Sequence, residues 1–552
     1  MNRRIRGFSR GHLRPFLLLP LLVLADCVGT SEVPFDPPDQ ALGERLFLET
    51  RFAEYFAEHM TGINDPLAVG DPVVNQVQNV YAGPMPGPFA GTSINCRSCH
   101  FVDEFQNVPH AGNRTYSDFT TRSPIPRVLN GFTRTPRNGM QMVGSLAPRS
   151  GPVFLHFDGE FSDPADLVRA TLTGRNFGWA PDEFPQALAH IARVIREDDG
   201  SGRLAASYGH LSYPAVFLSS SYSVPLQFRL PKAYRLDVAS ASDAQVLDAV
   251  ALLVTQYLKS LLFQQNDAGD FIGSPYDIFL FLNRLPKIPY PGESPEHYVQ
   301  RLSLAVQALA NPRFVGPSNG TFQFHAQPFV FGPTELAGLR IFLGTGSGPG
   351  TSHAGNCAAC HLPPNFTDFG FHNTGVSQEE YDAANGSGSF AALAVPSLAV
   401  RNQNFDQYLP ASANHPNATE RFRHAALAGN PFYADLGLWN VYLNPDIPNP
   451  QAALASVVCA NIQNCAVDQG LPTTIAEFKT PSLRDLEDSA PYFHNGSKLT
   501  FTDAVNFYIE SSHLARVGEL RNPPPQFQQM SIDAVDAPSL AAFLQSLTED
   551  YH

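Results

Sequence analysis

Two stretches of the chain repeat a pattern that does covalent chemistry. Cys96, Cys99 and His100 spell C-x-x-C-H, and Cys357, Cys360 and His361 spell it again. Two thiols at this spacing can each add to a vinyl group of one porphyrin, and the histidine that follows is then placed beneath the ring as a ligand to its iron. Each unit reads as an attachment site for one c-type haem. The thioethers fall at Cys96 and Cys99 and at Cys357 and Cys360, with His100 and His361 as proximal ligands. Four paired cysteines are also what a zinc site uses. Zinc ribbons, however, place their pairs tens of residues apart and need no histidine after both. Cys459 and Cys465 flank the short segment "CANIQNC", which reads as a local disulfide in an oxidising compartment.

Haem attachment of this kind belongs outside the cytoplasm, and the start of the chain agrees. "MNRRIRGFSRGHLR" is basic and "PFLLLPLLVLA" is apolar. Residues 1–25 therefore read as a secretory signal, too short to stay as a membrane span. The expected location is the periplasm. Cys27 follows a weak lipobox, so a lipid anchor there is the one membrane attachment considered. The net charge is −15 and becomes more negative once the arginine-rich leader is removed. That excludes nucleic acid as a partner and suits a basic redox protein.

Something must hold each haem. "QALGERLFLETRF" (40–52) precedes the first unit and "TELAGLRIFLGTG" (334–346) the second, both with apolar residues at helical spacing. Helical patterns over 243–264 and 531–547 close the two halves. Helix, haem, loop and helix, twice over, predicts a mainly α fold with two cytochrome c-like domains and long ordered loops. The N-terminal domain is assigned to 40–270, a turn-rich linker to 271–330, and the C-terminal domain to 331–552. Residues 180–240 read as an insertion in the first domain that covers or lines a site. Within it, 207–230 is aromatic and β-prone.

At this point the chain resembles the bacterial di-haem cytochrome c peroxidase and MauG superfamily. "CAACHLPPNFTDFGFHNTGV" (357–376) and "FKTPSLRDLEDSAPYFHNGSKLTFTDAVNFY" (478–508) carry the resemblance most specifically, and "SPYDIFL" (274–280) and "FDGEFSDPADLV" (157–168) less so. The resemblance implies a reactive N-terminal haem and a six-coordinate C-terminal haem that relays electrons. It places Tyr508 as distal ligand to the second iron, where the peroxidases carry methionine. Tyrosinate is a hard anionic donor that favours ferric iron and lowers the potential. Met530 is a rival for the same position.

The departures from the family bear on mechanism. Phe157 stands where the family has a tryptophan between its haems, and the chain's tryptophans are Trp179 and Trp439. The family's glutamate, which moves a proton between the peroxide oxygens, would fall at Phe177. Arg175 and Asn176, beside it, are polar and suited to holding a bound oxygen species. His156, Asp158, Glu160 and Asp166 are fallback acid–base groups. The family's calcium would take carbonyls at Ser489 and Pro491, while its first-half asparagine is not evident within 122–130. His110 is a resting-state ligand candidate for the first iron. His372 and His494 read as hydrogen-bonding residues between the haems or at a propionate.

Three readings follow. The first is reduction of hydrogen peroxide at the N-terminal haem, with electrons from a small redox protein or an organic donor. The second is an oxygenase using dioxygen on an organic substrate, which the missing acid and the aromatic-rich insertion favour. The third is a non-catalytic electron-transfer cytochrome.

Overall fold

The computed structural model describes residues 36–549 apart from 77, 80–82, 85–91, 102–117, 120–121, 127–131, 150, 221–222, 323–324, 326, 345–352, 461–464 and 488. The signal segment, Cys27 and His110 lie outside the described residues. Among those residues the regular structure is helical, apart from three antiparallel ladders of two residues per strand.

Each C-x-x-C-H unit follows an opening helix that packs on a closing helix. In the first half, the opening helix Pro38–Phe47 crosses the closing helix Asp243–Ser260. In the second, the opening helix Pro333–Leu343 crosses the closing helix Ala537–Gln545. Local chemistry sets these ends. Proline occupies the first turn of both opening helices, where its missing N–H costs nothing. Ser242 and Gln245 form a capping box at the start of Asp243–Ser260, satisfying two otherwise orphaned donors. Both crossings use a glycine. A Cβ on Gly43 would run into the Leu253 carbonyl, and one on Gly338 into that of Ser539.

The core is divided into clusters. One gathers Leu46, Phe47, Ile191, Val250 and Val254, with Cys96 against it. Another gathers Phe279, Phe331, Leu339, Phe366 and Phe543, with Cys357 and Tyr508 against it. A third is built on Phe422, Leu436, Trp439 and Tyr442 and takes in Phe154 and Phe371. No helical periodicity announces this third cluster. Its α-helices run only four to ten residues, and aromatic residues such as Phe422 and Tyr442 come from turns between them.

The 180–240 segment departs from expectation. Its β-prone stretch forms the helix Tyr213–Leu218, whose N-terminus is capped by the Ser212 side chain with proline in the first turn. Capping outweighs the β preference of the aromatic residues there. The helix Phe184–Glu197 packs on the closing helix Asp243–Ser260. The insertion thus builds the first core, and none of its described residues lines the large cavity described next.

Candidate functional site

The first unit is a tight 3-10 turn over Cys96–Ser98. The Asn95 side chain accepts from the Ser98 amide at 3.1 Å, and its own amide donates to the Leu48 carbonyl at 2.9 Å. The turn is thereby tied to the end of the opening helix. Cys96 and Cys99 form no disulfide, and Cys99 bonds with Ser123. Burial pushes the Cys96 thiol up to about 12. His100 Nδ1 lies 2.8 Å from the Met140 carbonyl. A carbonyl can only accept, so Nδ1 carries the hydrogen and Nε2 keeps its lone pair. Burial lowers the His100 pKa to about 4, which keeps the ring neutral and able to bind a metal.

The second unit repeats this arrangement. Cys357–Ala359 is again a 3-10 turn, preceded by Asn356 in the left-handed region at φ 49°. Cys357 and Cys360 are thiols. His361 Nδ1 is 3.0 Å from the Phe366 carbonyl, leaving its Nε2 as the donor. Two thiols and one neutral imidazole with a free Nε2, in each of two places, fit a covalently held haem. The four sulfurs do not converge on one point as a zinc site requires.

A large cavity opens beside the second unit. His361, Tyr508, Met530 and Phe527 form part of its wall, and residues 138–145 form another part. Tyr508 lies edge-on to Phe493 and Phe527, with centroids 5.9 and 6.0 Å away. Burial raises its phenol pKa. Tyr508 and Met530 both line this cavity, so both ligand candidates are brought to it. Met140 lines the cavity too, while its carbonyl accepts from His100. The segment that fixes His100 therefore also lines the cavity beside the second unit.

Phe157 faces the cavity, edge-on to His494 at 6.2 Å. Neither tryptophan lines it. Trp179 donates to the Phe52 carbonyl at 3.2 Å within the first core, and Trp439 is buried in the third. His494 is stacked on Phe478 at 3.6 Å, and its Nε2 lacks a hydrogen-bond partner among the described residues. Burial pushes it down to about 3. His372 pairs with Asp368 at 2.7 Å. Burial opposes its charge, but the hydrogen bond and charge of Asp368 raise its pKa.

Asp158 and Glu160, two of the fallback carboxylates, belong to a buried ion network. Arg137 makes two bonds to Asp435, at 2.6 and 2.8 Å, and one to Asp158 at 2.6 Å. Arg423 lies 3.5 Å from Asp158 and pairs with Glu160, which meets His156 at 3.0 Å. Burial would raise the Glu160 pKa, but Arg423 and His156 hold it far below the usual carboxylate range. Asp166 pairs with Arg169 and accepts from Asn449. Side chains held as counterions to arginine are poor proton carriers at neutral pH.

Arg175, Asn176 and Phe177 form one 3-10 turn. Phe177 is buried in the first core, the one that Cys96 packs against. Arg175 donates to the Phe132 carbonyl at 2.8 Å. An asparagine outside 122–130, Asn138, reaches the segment of Pro491. Its side chain donates to the Pro491 and Phe493 carbonyls, both at 2.9 Å, and its backbone N–H to the His494 carbonyl at 2.8 Å. Ser489 is buried in the same segment. The predicted disulfide joins Cys459 to Cys465.

No family profile matches the chain. A stretch of 216 residues is 25% identical to cytochrome-c peroxidase IdrP2 of Denitromonas iodatirespirans, covering 38% of each protein. The chain resembles the di-haem peroxidase and MauG-like superfamily. Among solved structures of that superfamily, the diheme peroxidase BthA from Burkholderia thailandensis aligns over 94% of this chain and 87% of its own, at 16% identity and TM-score 0.42. A MauG-like protein associated with microbial copper homeostasis aligns over 94% and 91%, at 16% identity and TM-score 0.41.

Proposed function

We propose that the chain is a periplasmic di-haem c-type oxidoreductase. In this reading it reduces hydrogen peroxide at the haem held by Cys96, Cys99 and His100. Electrons reach that haem through the one held by Cys357, Cys360 and His361. The observation that carries the reading is the 138–145 segment, whose Met140 carbonyl fixes His100 while Met140 itself lines the cavity of the second unit. Two isolated cytochromes would not need such a shared strut.

Haem iron supplies the redox chemistry; the chain's own residues supply position and environment. The carbonyls of Met140 and Phe366 orient His100 and His361 and raise their donor strength. Tyr508 is the oxygen donor offered to the second iron. Arg175 and Asn176 would hold the oxygen species at the first, and Phe177 beside them keeps water out. A calcium ion would take the carbonyls of Ser489 and Pro491, with the Asn138 amide turned so that its oxygen faces them. The electron donor is a small redox protein or an organic molecule. The two-domain division, with 271–330 between, and release of residues 1–25 belong to the same reading.

Stopped-flow mixing of the diferric and diferrous protein with peroxide, and separately with oxygen, tests it. Rapid oxidation at near-stoichiometric peroxide is the expected result. Reaction with oxygen alone would move the assignment to the oxygenase reading, and inertness to both would leave an electron carrier.

A further inference from the structure

The peroxide reading leaves a gap, because Phe177 is buried and the nearby carboxylates are spent on arginines. The structure brings another group to the same turn. His424 comes from the second half of the chain and is 5% exposed. Its ring stacks on Phe132 at 4.0 Å and meets Tyr433 edge-on at 5.1 Å. Phe132 is also the residue whose carbonyl receives the Arg175 guanidinium. His424 bonds to the backbone at Thr419. Two buried nitrogens here, His424 Nε2 and Arg175 Nε, have no hydrogen-bond partner among the described residues. Buried polar atoms are rarely left in this state without a ligand or a role.

The pair is linked to the first attachment unit by a short run of bonds. Ser123, which bonds with Cys99, accepts from the Thr135 amide at 3.0 Å, and Ile125 donates to the Thr133 carbonyl at 3.0 Å, next to Phe132. A Cβ on Gly178, next to Phe177, would fall 3.6 Å from Pro126. His424 is held there by its neighbour, since Arg423 is anchored to Glu160 and Asp158 of the first half.

We propose that Arg175 and His424 form a two-residue site for hydrogen peroxide beside the first haem, with His424 as the proton acceptor that the Phe177 position lacks. The inference rests on the reading of the first haem as the reactive one. An O–H bond of the peroxide breaks, a bond from hydrogen to His424 Nε2 forms, and the hydroperoxide anion is held by the Arg175 guanidinium. No electron moves in this step. Burial lowers the His424 pKa against the pull of Glu420 and Asp435, and Arg175 lowers it further. The imidazole is therefore neutral and accepting at pH 7. Arg175, Glu420, Tyr433 and Asp435 are the charged or titratable groups facing it.

Cyanide is the probe, because hydrogen cyanide must lose its proton to bind ferric haem. His424→Gln should slow cyanide association by roughly a hundredfold and erase the inflection in its pH profile, with both haems still present in the spectrum. Arg175→Leu should speed cyanide release. Wild-type rate and pH dependence in His424→Gln would overturn the proposal. If that variant fails to take up haem, the carbon monoxide adduct of the unsubstituted protein decides. Its C–O stretch should move as His424 is protonated, and a stretch independent of pH overturns the assignment. An altered cyanide profile in a protein inert to peroxide would remove the peroxide reading and leave the acid–base pair standing.

Discussion

Tyr508 is the residue on which the division of labour between the two sites turns. It shares a cavity with His361, and burial keeps its phenol protonated until a cation displaces the proton. Replacing it by methionine exchanges a hard anionic donor for a soft neutral one. Tyr508→Met should leave haem content unchanged, alter the second haem's absorption spectrum and raise its potential by on the order of 100 mV, within the ~0.8 V that axial ligands span. Spectropotentiometry checks this; an unmoved potential would assign the position to Met530. The two C-x-x-C-H units were legible because covalent chemistry fixes their spacing along the chain, whereas Tyr508 was reached only through the family resemblance. Asn138 and His424 were not legible. Asn138 meets Pro491 and Phe493 only through folding. His424 looks like any loop histidine until its neighbours from the first half surround it.

At the scale of elements, the two halves repeat one device. A glycine in each opening helix lets the closing helix approach until backbone meets backbone, at Gly43 with Leu253 and at Gly338 with Ser539. The opening helix then delivers its C-terminal end to the haem unit, as Leu48 does through Asn95. Gly43→Ala and Gly338→Ala should each destabilise the protein by about 1–3 kcal/mol through overpacking. Gly316→Ala, with nothing within 4 Å of the added Cβ, is the control and should stay near neutral. Urea midpoints on the three variants test this. These helices were readable because each carries a period and a start signal. The 207–230 segment misled because its aromatic content favoured strand while one serine cap and one proline decided for helix. The third core escaped notice because its helices are too short to show a period and several of its aromatic residues sit in turns between them.

For the whole molecule, the Arg137 network joins segments that are distant in the chain. Arg137 and Asp158 come from before the linker, and Asp435 and Arg423 from the third cluster. Burial alone would raise the Asp435 pKa, but the charge and hydrogen bonds of Arg137 hold it down to about 2. An unfolded aspartate titrates near ~3.9. The folded form therefore binds fewer protons in that window. The stabilisation is complete above the unfolded value and is lost as pH falls through about 2. A difference of this size is worth about 2–3 kcal/mol. Asp435→Asn should remove that contribution at pH 6 and leave the Arg137 charge short of a partner, which adds to the cost. The unsubstituted protein should lose urea resistance steadily between pH 5 and about 2, and Asp435→Asn should show a shallower loss across the same range. Equal slopes in the two proteins would mean that other carboxylates carry the acid sensitivity. The same network anchors the loop bearing His424. Asp435→Asn should therefore also alter the first haem's cyanide kinetics at pH 6, because Asp435 and His424 share one hairpin, bridged at Arg423 and Asp435.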